Sequence, residues 1–124
     1  MKASELETRL ISFAARVIDL VEKLPKSLVS KHLGEQLIRS GTSPALNYGE
    51  AQSAESREDF IHKMKIGLKE LRETMANLRI IQLRNYFPNE KLEPFIKEND
   101  ELISIFIAST KTASLHKNKN LNFI

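Results

Sequence analysis

Residues 40–45 read Ser40-Gly41-Thr42-Ser43-Pro44-Ala45, and how they are read sets the number of helices. Glycine, proline and short hydroxylated side chains are poor helix formers. A loop here would give five helices. The flanks argue for continuity, because Leu33, Leu37, Gly41, Pro44 and Tyr48 fall on one side of a single helix. That helix is expected to start near Ser27 and to run to about Gln52. Small residues at Ser40, Gly41 and Ala45 let a neighbouring helix approach closely. Pro44 would bend the helix, and its missing donor would leave the Ser40 carbonyl free.

Upstream, Leu6, Leu10, Phe13, Val17, Leu20 and Leu24 recur at alternating spacings of four and three, the stripe of a packed helix. Ser4 is the expected N-cap and Pro25 the stop. Downstream, Ser56 and Asp59 resemble a capping box. They open a third helix of roughly 28 residues, about 40 Å long. Its face is Phe60, Met64, Gly67, Leu71, Met75, Leu78 and Ile81. Asn85-Tyr86-Phe87-Pro88-Asn89 is a turn, since asparagine tolerates the left-handed cap and proline forbids continuation. A fourth helix turns Leu92, Phe95, Ile96, Asn99, Leu102, Ile103, Phe106 and Ile107 inward and fades between Thr110 and Ser114. Four amphipathic helices with short connections pack most simply as an all-α, antiparallel up-down-up-down four-helix bundle, here over residues 1–114. Residues 115–124 form a polar, basic C-terminal tail.

The 124-residue chain carries a net charge of +3. Lys111, Lys117 and Lys119 near its C-terminus account for that excess, and the remainder is balanced. The tail reads either as a frayed end, ordered at most by a neighbour, or as a short phosphate-binding arm. Cysteine and tryptophan are absent, which excludes disulfides, zinc knuckles and thiol catalysis. No secretory signal and no span of roughly 20 apolar residues is visible, so no membrane role is expected and the location is expected to be cytoplasmic. There is no glycine-rich phosphate loop and no nucleophile elbow. His32, His62 and His116 lie in separate segments, and Glu58 or Asp59 with His62 supplies at most half of a bundle di-metal site. Catalytic residues, cofactors and metals are therefore expected to be none.

Two polar patterns remain. Gln36, Ser40, Ser43, Asn47 and Glu50 form a stripe on helix two beside its apolar face. Such groups need partners if they are buried, and the stripe reads otherwise as a solvated edge. Lys65, Lys69, Arg72 and Arg79 share one side of helix three. They either pair with the acidic fourth helix, within or between subunits, or form a phosphate-binding surface. No aromatic platform for base stacking is evident, so any such binding would be salt-sensitive and weakly sequence-selective.

The run from Glu35 to Glu50 contains Gln36-Leu37, Arg39-Ser40, Ser43, Asn47 and Glu50 at fixed offsets. It resembles the signature of the four helix bundle protein family, also called the 23S rRNA intervening-sequence protein family. Ser56-Arg57-Glu58-Asp59-Phe60 and Gly67-Leu68-Lys69-Glu70-Leu71 extend the resemblance, which covers about residues 8–112. Ala51, Leu68 and Gly49 depart from the usual glycine, serine and alanine. The resemblance implies a small bacterial bundle that assembles as a ring-shaped homopentamer and whose biochemical role is not established. A related branch is the accessory variability protein of diversity-generating retroelements, which implies nucleic-acid binding and a reverse-transcriptase partner. By the same resemblance Arg39, Ser43, Asn47, Glu50 and Glu70 form a structural network holding helix two to helix three, or to a neighbouring subunit.

The leading expectation is a non-enzymatic homo-oligomeric scaffold or accessory protein that binds RNA, DNA or a nucleoprotein through Lys65, Lys69, Arg72, Arg79, Lys117 and Lys119. The rival is a structural or protein-binding module with no nucleic-acid contact. An enzyme is the third class, and no residue pattern argues for it.

Overall fold

The computed structural model describes residues 1–115. Helices α1 (Ala3–Glu22), α2 (Leu28–Gln52), α3 (Arg57–Leu83) and α4 (Asn89–Leu115) follow one another through short turns. Neighbouring helices pack as α1–α2, α2–α3, α3–α4 and α4–α1, while the diagonal pairs stay apart. This is a four-helix bundle with no strand among the described residues. Of the tail expected over residues 115–124, Leu115 is the last residue of α4, and residues 116–124, Lys117 and Lys119 included, lie outside the described residues.

The segment 40–45 is helical throughout. Thr42 Oγ1 donates to the Ile38 carbonyl at 2.7 Å and Ser43 Oγ to the Arg39 carbonyl at 2.5 Å, so two weak helix formers bond back onto the preceding turn. Gly41 explains the local choice. A Cβ there would lie 2.9 Å from Val17 Cγ1, so α1 and α2 meet at a separation only glycine allows. Gly34 serves the same purpose one helical stretch earlier, where a Cβ would lie 2.9 Å from Val21 Cγ1.

The caps follow local chemistry. Ser27 Oγ accepts from the Ser30 amide at 3.1 Å, and Ser56 Oγ accepts from the Asp59 amide at 3.0 Å. Asn85, at φ 58°, ends α3 in the left-handed region. Ser4 is not a cap: α1 starts one residue earlier behind Lys2, and the Ser4 carbonyl accepts from Thr8 Oγ1 at 2.9 Å. Pro94 sits in the second turn of α4, where its missing donor affects only a carbonyl of the first turn.

Leu6, Leu10, Phe13, Val17 and Leu20 of α1 meet Leu37 and Tyr48 of α2, and Phe60, Met64, Leu71, Leu78 and Ile81 of α3. Leu92, Phe95, Leu102 and Phe106 of α4 complete this core. On α3 the core position expected for Met75 is taken by Thr74, and Met75 is only half-buried. The threonine is tolerated because its hydroxyl donates to the Glu70 carbonyl at 2.9 Å. Asn99 is buried as its position in the stripe implies, and its Nδ2 donates to the Leu71 carbonyl at 2.9 Å, joining α4 to α3.

Candidate functional site

The polar stripe of α2 does not act as one surface. Ser40 is buried and accepts from Asn77 Nδ2 at 3.1 Å. Asn47 is half-buried beside Gly67, with its Oδ1 sealed from solvent and without a hydrogen-bond partner among the described residues. Gln36 and Glu50 are exposed. The difference follows from position, since the α2–α3 contact covers the middle of the stripe and leaves its ends in water.

Of the five motif residues, three reach across the seam between α2 and α3. Arg39 Nη1 donates to Glu70 Oε2 at 2.6 Å, and its Nη2 donates to Glu73. Glu50 faces Lys63 at 3.6 Å. Ser43 bonds only within its own helix. Glu73, Lys63 and Asn77 were not singled out from the sequence. Lys63, Glu70, Glu73 and Asn77 do recur at spacings that share a face of α3, and that was the available signal. Arg39 holds the Glu73 carboxyl below the ordinary carboxylate range, chiefly through its hydrogen bond. At the other extreme, burial pushes the Tyr48 hydroxyl up to about 12, with the Glu7 charge adding to it, so this fully buried ring stays neutral in the core.

Lys65, Lys69, Arg72 and Arg79 are all exposed, and none forms an ion pair among the described residues. Their expected pairing with acids of α4 in the same chain is not what forms. The α4 carboxylates Glu98 and Glu101 turn to Arg9 on α1 instead. Arg9 grips Glu98 through two hydrogen bonds of 3.0 and 2.5 Å, and Glu101 through one of 3.1 Å. Lys65, Lys69 and Arg72 line an open depression of about 470 Å³ together with Leu68, Glu73 and Ala76. Arg72 and Arg79 border a smaller one of about 270 Å³, with Asp100 on its edge. Lys65 also shares a depression of about 300 Å³ with Lys111 of α4. In the sequence Lys111 stands only in the basic C-terminal end, and its proximity to Lys65 depends on how α4 docks.

Among the described residues no group of three His, Asp or Glu side chains is placed to hold a metal ion. His32 and His62 are exposed. No helix among the described residues is long and apolar enough to cross a membrane.

The chain matches the family described as 23S rRNA-intervening sequence protein over residues 4–108. It is also similar to the crystal structure of a protein of unknown function from the S23 ribosomal protein family of Bacteroides thetaiotaomicron VPI-5482. The identity is 33% and the TM-score 0.77, and the match covers 90% of this chain and 99% of that one. No curated protein matches the chain.

Proposed function

The chain belongs to the 23S rRNA-intervening sequence protein family, and from that premise we propose that it is a non-enzymatic, homo-oligomeric accessory protein of the cytoplasm whose α3 face holds nucleic-acid phosphates. One observation carries this reading: Lys65, Lys69, Arg72 and Arg79 are exposed on one helix without ion-pair partners among the described residues. From Lys65 to Arg79 they extend about 21 Å along the helix axis, the scale of several successive backbone phosphates. Four such cations bind weakly in one subunit. Repetition around a closed ring, a pentamer in this proposal, multiplies the contact without new chemistry. RNA is the leading partner, and a nucleoprotein such as a reverse-transcriptase complex would use the same face.

Mobility shift with generic RNA and DNA tests the proposal. Binding at low salt should weaken steeply as salt rises. The double charge reversal Lys65→Glu with Arg72→Glu should abolish it. A folded oligomer that shifts neither nucleic acid at low salt would sink this reading, and a monomer by light scattering at micromolar concentration would sink the ring. The second reading, a protein-binding module, is favoured by exposed Ile11, Ile18, Ile38 and Leu46 on α1 and α2. It predicts assembly that is indifferent to α3 charge reversal.

A further inference from the structure

The seam between α1 and α4 holds a second cationic feature, built from residues other than those of the α3 face. Near the C-terminal end of α1 and the N-terminal end of α4 lies a cleft of about 300 Å³, lined by Arg16, Asp19, Lys23, Glu90, Lys91 and Phe95 among others. Its three cations are Arg16 of α1, Lys23 at the C-cap of α1 and Lys91 of α4. Arg16 lays its guanidinium over the Phe95 ring, 4.9 Å from the centroid. That ring is itself fixed in the core against Phe13, at 6.3 Å between centroids. The arginine is therefore partly pre-organised on an aromatic shelf, which lowers the entropy lost when it binds an anion.

Lys23 and Lys91 face each other across the same cleft. The nearby Lys23 charge lowers the Lys91 pKa, with Asp19 opposing the shift. Two like charges so placed repel, and an anion seated between them turns that repulsion into two attractions. Neither lysine forms an ion pair with a carboxylate among the described residues. The cleft also lies against the first two turns of α4, at the positive end of a 27-residue helix. Asp19 and Glu90 work against any anion there. A singly charged ion would gain little over two nearby carboxylates, so the balance favours a ligand with several negative charges and more than one point of contact.

We propose that this cleft is a binding site for an oligophosphate, held between Lys23 and Lys91 with the Arg16 guanidinium on a third side. The group is either a free one, such as pyrophosphate or a nucleoside polyphosphate, or the 5′ end of a nucleic acid. The chemistry is the same for both sources. The site does not depend on the α3 proposal, because it shares none of its residues.

Calorimetric titration of the full chain with inorganic pyrophosphate is the direct test. Binding should appear and should weaken by about tenfold in Lys91→Gln and in Lys23→Gln. These two side chains lie outside the core, and circular dichroism would verify that each variant is folded. Asp19→Asn should tighten binding, a gain that a merely disturbed structure would not give. Lys65→Glu with Arg72→Glu should leave pyrophosphate affinity unchanged, which separates this site from the α3 face. An RNA with a 5′-triphosphate that outcompetes the same RNA with a 5′-hydroxyl would support the site and assign it to chain ends, whereas pyrophosphate binding with no such preference would support it and assign it to a free ligand. Absence of binding at millimolar pyrophosphate, or affinity untouched by Lys91→Gln, would overturn the proposal.

Discussion

The α2–α3 and α1–α4 seams use the same polar device and come out differently. Each is spanned by one arginine reaching two carboxylates, Arg39 to Glu70 and Glu73 in the first, Arg9 to Glu98 and Glu101 in the second. Yet α2 and α3 have the most extensive contact in the bundle, and α1 and α4 the least. The side chains beneath the ion pairs account for this. Ser40, Asn47 and Gly67 are small or short where α2 meets α3, so the backbones approach closely. Phe13, Phe95 and Arg16 stand between α1 and α4 and hold them apart. Ion pairs decorate both seams, and side-chain bulk sets their width. The wider seam is the one with room for a ligand.

The comparison can be broken most forcefully at Phe95. Removing this nearly buried ring with Phe95→Ala should cost about 3–5 kcal/mol by urea denaturation, because α1 and α4 have little else to close onto the space. A loss under about 1 kcal/mol would mean that the helices collapse together and that bulk does not set their separation.

A smaller effect is expected at Gly67, which packs against Asn47 of α2 and Phe106 of α4 at once. In Gly67→Ala the new Cβ would lie 2.7 Å from Phe106 Cε2 and 3.4 Å from Asn47 Cβ. The gain in helix propensity is about 1 kcal/mol, and overpacking by this contact should outweigh it, for a net loss of about 1–2 kcal/mol in thermal or chemical unfolding. Stabilisation would show that the neighbouring ring yields freely.

The smallest effects belong to the arginines. Arg9 makes a two-point grip on Glu98 and is less exposed than Arg39. Arg9→Ala should therefore cost up to about 1 kcal/mol, and Arg39→Ala should cost less, with either loss shrinking at high salt. The pH dependence has a definite sign. The Glu73 pKa is depressed in the folded chain, so its contribution is present above the ordinary glutamate range and is lost as pH falls through the folded value. In Arg39→Ala the Glu73 carboxyl should titrate at a higher pH, which carbon NMR of the side chain would detect. An unmoved Glu73 titration would show that the bond to Arg39 is not what holds it down.

Much of the bundle was legible in the chain. The three-and-four spacing identified four core faces, and Ser27, Ser56 and Asn85 marked boundaries, because caps and periodicity are local properties. Ser4 misled because a good capping residue binds only if the chain enters the helix there, and α1 begins earlier. Thr74 and Met75 exchanged places because a small rotation of α3 about its axis decides which of two adjacent residues faces the core. The motif around Arg39 was visible, while its partner Glu73 was not distinguished from other acids of α3.

The sequence by itself determined the helices, their order, the continuity of residues 40–45 and the family likeness carried by α2. These depend on neighbours in the chain, on spacing and on small side chains where α1 must come close. Only the tertiary structure decided that the acids of α4 pair with Arg9 and leave Lys65, Lys69, Arg72 and Arg79 unpaired within the described chain. It alone brought Lys23 to Lys91 across a seam kept open by Phe95. Such encounters depend on the rotation and axial register of helices separated by most of the chain, and on the bulk of the side chains between them. No local pattern encodes either.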